Sequence, residues 1–318
     1  MKGRKIRVAR WAVSGLLVAA LSVVAAGCGG GDDSAGASTE IEGLGTSLEE
    51  IQANAKTEGE VNIVQWPGYA QLTDEFTAAT GCKVNTKDGT TSDDMISLLQ
   101  TGAYDGVSAS GNASIRLMTT GEVAPINPEF VPNYADVQEG IKNQEYNSLD
   151  GQPYGAPHGR GPNLLMYRTD VVTPAPDSWS VVWDNPNANK GKLSIYDDSI
   201  FIADAAVYLK ATQPDLNITD PYELDEAQFQ AAVDLLKQLN PNVGEYWADY
   251  TKQIQSFANK DSVAGTTWPI QGVLLKADKQ PVETIKPKEG TTGWSDTWMI
   301  YSKAANPNCM YLWMNHMI

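Results

Sequence analysis

Chemically versatile side chains are scarce in this chain: 318 residues include three cysteines and two histidines. His158 and His316 lie far apart with no CxxC or HxxxH spacing around them, so a zinc site has little support. There is no Walker loop and no GxGxxG. The stretch from Gly106 to Ser110 reads GVSAS and lacks the second glycine of a nucleophile elbow. An enzyme would have to rest on an unrecognised constellation, so no catalytic residue, metal or cofactor is assigned. Basic residues are also short, 23 Lys and Arg against 39 Asp and Glu for a net charge of −16, which makes nucleic acid a poor partner.

What the chain does have begins at its start. Lys2, Arg4, Lys5, Arg7 and Arg10 precede one apolar run, Trp11 to Ala26, which is too short and one-sided for a membrane-spanning helix but has the layout of a secretory signal. The run ends in Ala25-Ala26-Gly27-Cys28, which resembles the bacterial lipobox; Cys28 would then be lipidated and become the mature N-terminus. The alternative is an ordinary signal peptide whose cleavage site lies near a cysteine. Residues 1–28 are read as the signal and the Gly-rich, polar residues 29–46 as a flexible tether between anchor and domain. Export at the outer face of a bacterial membrane or into the periplasm follows. Removal of the signal leaves 18 basic against 39 acidic residues, a charge of about −21. Cys82 and Cys309 remain, and an oxidising setting allows them to pair, although sequence alone does not pair them.

With 42% hydrophobic and 19% charged residues, the rest reads as an ordinary globular α/β protein with room for two lobes. Strands are expected at 60–66, 82–87, 104–109, 192–196, 262–268 and 282–286. Helices are expected at 71–80, from a Ser92 cap onward, at 200–212, and at 225–240 with Phe229 on the inward face. Alternating strands and helices argue for mainly parallel sheets. The Pro/Gly-rich passage 151–163 reads as a crossing between lobes and 287–293 as the return. The first lobe is then 47–160 with 293–318, the second 161–292. The apolar stretch 310–318 carries no stop signal and is expected to end a truncated chain.

Ligands of open α/β sheets sit beyond the carboxyl ends of strands. Those places carry Trp66 with Tyr69, Ser110 with Asn112, Asp197 with Asp198, Trp268 with Gln271, and Trp294 with Asp296. Aromatic faces and carboxylates converging from both halves suit an elongated organic cation. Each has a plainer alternative: a tryptophan packed between lobes, or Asp198 and Ser110 capping the helices that follow. Trp179, Trp183, Trp247, Trp298 and Trp313 are read as packing residues, and His158 and Arg160 as hinge hydrogen-bonders.

The motifs WPGY from Trp66, TGCKVN from Thr80, YDGVSASGNAS from Tyr104, GPNLLMY from Gly161, YDDSIFIADAA from Tyr196 and PKEGTTGWSDTWM from Pro287 together resemble the ABC-transporter solute-binding proteins of the spermidine/putrescine group. The resemblance is strongest to the YdcS type. It implies a two-lobe periplasmic-binding-protein fold (type II-like) with inter-lobe crossing segments, closing like a hinged clamp. It implies a polyamine ligand held by Trp66, Tyr69, Ser110, Asp198, Trp268 and Asp296. Permease subunits would be the partners of a monomeric, lipid-anchored receptor. Two places depart from the family pattern. Phe201 stands where polyamine binders have a glutamate, so Phe201→Glu is expected to restore a carboxylate and tighten diamine binding, and Asn112 replaces an aromatic. A receptor for an amino acid, a guanidino compound or a polyol, or a surface enzyme using Ser110, Cys82 or His158, are the competing readings.

Overall fold

A computed structural model describes residues 41–184 and 189–318. The signal, Cys28 and most of the expected tether lie outside them. In chain order the elements are α1 (Leu48–Glu58), β1 (Glu60–Gln65), α2 (Thr73–Thr80), β2 (Lys83–Asp88), α3 (Ser92–Gln100), β3 (Gly106–Ser110), α4 (Gly111–Thr119), β4 (Ser148–Leu149), β5 (Gln152–Pro153), β6 (Gly155–Pro162), β7 (Leu164–Arg168) and α5 (Ser180–Trp183). There follow β8 (Leu193–Tyr196), α6 (Ile200–Thr212), α7 (Glu226–Leu239), β9 (Val243–Trp247), α8 (Tyr250–Ala258), β10 (Ala264–Thr267), α9 (Pro269–Ala277), β11 (Val282–Ile285), β12 (Gly293–Ile300) and α10 (Pro307–His316).

Two five-stranded sheets carry the fold, ordered β2-β1-β3-β12-β6 and β11-β7-β10-β8-β9. The β1–β2, β1–β3, β8–β9 and β8–β10 pairs are parallel, as helical crossovers require. Antiparallel strands enter where the chain passes between the sheets: β12 returns from the second sheet and runs antiparallel to both β3 and β6. The passage 151–163, expected to be a crossing, is largely β6, and only Asn163 separates it from β7. The return spans 286–292. The two connections are tied together: the Asn163 amide donates to the Thr292 carbonyl at 3.0 Å, and its side-chain amide donates to Thr292 Oγ1 at 2.7 Å.

Each sheet is packed on both faces. On one face of the first sheet, Ile51, Phe76, Trp298 and Trp313 form a core closed by the Cys82–Cys309 disulfide, whose Cα atoms are 5.9 Å apart. That bond links residues 227 apart in sequence and holds α10 onto the sheet. Ile41 is buried in the same core, and the Gly45 amide donates to Asn308 Oδ1 at 2.9 Å. Residues 41–45, expected to belong to the tether, are therefore part of the folded body. Met95, Leu99, Val107 and Leu117 fill the other face. In the second half, Trp179, Trp183, Leu193 and Phe201 form one core and Met166, Phe257 and Leu275 another. Phe229, expected inward, is exposed instead, and α7 packs through Ala232 and Leu239.

Candidate functional site

The carboxyl ends of β1, β3, β8 and β10 converge with the middle of β12. Asp296 lies opposite Ser110 of β3 and Gly159 of β6, at a register shift between Asp296 and Thr297. A bulge of this kind re-aims the side chains beside it. Tyr69 Oη donates to Asp296 Oδ2 at 2.6 Å, and Ser110 Oγ donates to Oδ1. Ser110 occupies the N-cap position of α4 but makes no capping bond; its hydroxyl serves the carboxylate instead.

Asp296 is buried, and among the described residues no Lys, Arg or His makes an ion pair with it. Burial pushes its carboxyl up to about 6, against the pull of the two hydroxyl donors. Burial, then the charge of Asp296, raises the Tyr69 phenol well above its usual range, so Tyr69 stays a hydrogen-bond donor. His158 packs edge-on against Tyr69 (centroids 5.1 Å) and stacks on Trp298 (5.2 Å). Its Nε2 lies 3.0 Å from Ser108 Oγ, and burial lowers its pKa to about 4. The ring beside the site is neutral at physiological pH and supplies no countercharge.

Aromatic rings wall the space between the halves. Trp268, at the N-cap of α9, meets Trp66 at 6.2 Å, Tyr196 at 5.1 Å and Trp247 at 5.0 Å, each edge to face. Trp66 comes from the first sheet and the others from the second. Trp247 was expected to be packing alone and also buttresses Trp268. Trp294 packs against β6: a Cβ on Gly161 would fall 2.4 Å from its Cζ2, so the glycine is required there.

Of the six residues read as a ligand set, the structure brings Trp66 to Trp268, and Tyr69 and Ser110 to Asp296. Asp198, expected to hold a cation, accepts hydrogen bonds from the amides of Ser92 (2.9 Å) and Ile200 (3.0 Å) and from Asn112 Nδ2 (3.1 Å). Tyr196, raised well above its ordinary pKa by burial and then by Asp198 and Asp296, sits within reach of both charges. Phe201 overturns its expectation. It is buried in the second-half core, stacked on Trp183 at 5.2 Å, so a glutamate there would enter the core rather than the ligand space. Tyr196, packed against Trp268 and near both carboxylates, was not identified from the sequence, and Trp247 stands behind Trp268. Tyr196 ends a strand just as Trp66 follows one, and that position was the available signal.

A family model for bacterial extracellular solute-binding proteins matches residues 71–317. The spermidine/putrescine-binding periplasmic protein 1 of Haemophilus influenzae is 26% identical over 277 residues, covering 85% of this chain and 73% of that protein. Among solved structures, the TpPotD lipoprotein of Treponema pallidum superposes with a TM-score of 0.68 at 19% identity, over 80% of this chain and 79% of that one. The periplasmic binding protein MotA of A. tumefaciens B6, solved with glucopine, gives 0.65 at 15%, over 81% and 78%. At these identities the structural likeness speaks for the fold, the two-sheet α/β fold of the periplasmic binding proteins.

Proposed function

Because the chain belongs to the bacterial extracellular solute-binding protein family, we propose that it is the receptor of an ABC importer that captures a polyamine, putrescine or spermidine, without changing it chemically. The observation that carries this reading is Asp296, a buried carboxylate braced by two hydroxyls with no basic side chain paired to it. An ammonium group would complete it. The faces of Trp66 and Trp268 would attract the charge and flank the methylene chain. Tyr69 and Ser110 would keep the carboxylate oriented. The name of the Haemophilus relative points to the same ligand class.

In this reading residues 47–160 with 293–318 form one lobe and 161–292 the other, moving about Asn163 and Thr292. The protein is exported, held through a lipid on Cys28, and delivers its solute as a monomer to permease subunits. Catalysis has no support at the candidates considered: Cys82 is in a disulfide, and the hydroxyl of Ser110 bonds to a carboxylate rather than to His158.

A thermal-shift panel of polyamines, amino acids and sugars tests the proposal, since a ligand at 100 times its dissociation constant stabilises the folded state by about 2.7 kcal/mol. A shift with putrescine or spermidine and none with sugars or amino acids is expected. The second reading, a receptor for an amino acid, guanidino compound or polyol, is favoured by Asp198, whose two oxygens are already engaged by Ser92, Ile200 and Asn112, leaving Asp296 as the one candidate carboxylate for an ammonium group. Shifts confined to those solutes would establish it and reject the polyamine.

A further inference from the structure

Gln271 lies in the first turn of α9, three residues after Trp268, and is wholly buried with neither its Oε1 nor its Nε2 bonded. Among the described residues it is the one buried side chain with two polar groups and a partner for neither. An amide left in this way destabilises the fold, because both atoms gave up water and gained no bond in return. Two other buried glutamines show the ordinary arrangement. Gln253 Nε2 donates to the Thr266 carbonyl at 2.6 Å and Gln65 Nε2 to Asp88 Oδ1 at 2.9 Å, so each lacks a partner only at Oε1.

The place of Gln271 in the fold joins it to the candidate site. The helix α9 leads away from the carboxyl end of β10, and its buried face is pinned to the sheet. A Cβ on Gly272 would fall 2.5 Å from Thr284 Cγ2 of β11, and Leu275, one turn beyond Gln271, packs with Met166, Phe257 and Val282. Gln271 is thus held at the end of the sheet that carries Trp268. Residues three apart on a helix are neighbours on its surface. Trp268 in turn packs against Tyr196 at 5.1 Å, a ring within reach of the Asp296 charge. A glutamine at this third helical position ordinarily turns back to the N-cap amide, a bond that Gln271 does not make.

We propose that the Gln271 amide receives the far end of an amine bound at Asp296, so that the site selects solutes by one ammonium group and one polar end that need not be charged. This role rests on the reading of the site as an amine receptor. A primary amide both donates and accepts: Oε1 takes an N–H or O–H, and Nε2 gives one to an oxygen. A carboxylate does only the first. A diamine and an amino alcohol of equal length are then near equals as ligands.

Putrescine is compared with 4-aminobutan-1-ol, in which a hydroxyl replaces one ammonium group, on the full native chain and on Gln271→Met, an unbranched side chain of similar length without the amide. Titration calorimetry should show native protein binding the two solutes within about tenfold of each other. Without ligand, the variant should unfold at higher denaturant than native protein, since it loses an unbonded buried amide. It should nevertheless bind putrescine about tenfold or more weakly, the scale of one lost hydrogen bond to a charged group. Higher stability joined to weaker binding is the result that a merely structural residue does not give. Unchanged affinity in the variant would overturn the proposal and leave Gln271 as a packing residue completed by a buried water. A variant less stable than native protein would show the amide bonded within the fold and overturn it too. So would native protein that binds the amino alcohol more than about 100-fold more weakly than putrescine, since a carboxylate must then hold the far end. In each of these three outcomes putrescine still binds; if neither solute binds native protein, the polyamine reading itself falls, and the role of Gln271 with it.

Discussion

Two buried carboxylates, Asp296 on β12 and Asp204 on α6, look alike at the level of single contacts: each accepts a hydroxyl and neither is paired with a basic side chain among the described residues. Their surroundings separate them. Asp204 accepts Thr292 Oγ1 at 2.5 Å, Thr292 Oγ1 in turn accepts Asn163 Nδ2, and Tyr222, whose hydroxyl accepts the Gly293 amide at 2.9 Å, feels its charge. Every partner there belongs to the connections between the sheets or to elements lying against them. Asp296 instead draws its donors from the ends of β1 and β3 and stands beside Tyr196, one of the rings around Trp268. Burial of a carboxylate identifies a strained group; only the neighbours tell a carboxylate bracing the connections between the sheets from one that could receive a cation.

Adding another buried carboxylate gives the largest effect. Phe201→Glu replaces a ring stacked on Trp183 with an unpaired charge, so chemical denaturation should show a loss on the order of 3–5 kcal/mol and no tighter binding of diamines. A variant of native stability that binds putrescine more tightly would return Phe201 to the ligand space.

Asp204, at the connections between the sheets, comes next. Burial raises Asp204 from 3.8 to about 7, so the folded state holds its proton over a range where the unfolded chain has released it. Its contribution is full below pH 4 and is lost as the pH rises through 7, a fall of about 4 kcal/mol. Asp296, raised to about 6, adds a smaller loss over pH 4 to 6. His158, lowered to about 4, opposes this by adding stability as the pH rises to 6.5, so denaturant midpoints should decline only partially from pH 4 to 6.5 and more clearly above it, where Asp204→Asn should flatten the curve. A midpoint that does not fall between pH 6.5 and 8 in the native protein would show that Asp204 is not strained.

At the candidate site, Asp296→Asn should weaken spermidine binding by more than about 100-fold, the loss typical of a buried ammonium without its partner. Asp204→Asn should change the same affinity tenfold or less. Trp268→Ala gives the smallest effect, about tenfold, from lost cation–π attraction and packing. Comparable losses in the two Asp→Asn variants would erase the distinction between Asp204 and the candidate site.

The sequence made some of this legible and hid the rest for physical reasons. The β1 and α6 segments were readable as local apolar runs, α6 at its observed ends, 200–212, and Gly81 marked where α2 stops and β2 follows. The strand β6 was read as a crossing because GQPYGAPHGRGPN is rich in the residues that punctuate loops. Its ladder with β12 depends on a partner more than a hundred residues away, and Gly161 is needed there to admit the Trp294 ring. Strand-end logic picked out Trp66, Tyr69, Ser110 and Trp268 at the ends of β1, β3 and β10, but Asp296, expected beyond a strand, lies inside β12. That logic could not distinguish Asp198 facing a ligand from Asp198 bonded to Ser92 and Asn112, because those partners meet only in three dimensions. Phe201 misled for the opposite reason: a position matched to a family pattern says nothing about the direction of the side chain on its helix.

The claim that Asp296 is the group awaiting a cation is tested most directly by proton release. With its carboxyl near 6 in the empty protein and an ammonium holding it ionised in the complex, spermidine binding at pH 5.5 should expel roughly 0.8 proton, and at pH 7.5 almost none. Titration calorimetry in two buffers of different ionisation enthalpy reads that number. Different heats at pH 5.5 that converge at pH 7.5 are the predicted result; spermidine binding with equal heats in both buffers at pH 5.5 would contradict it.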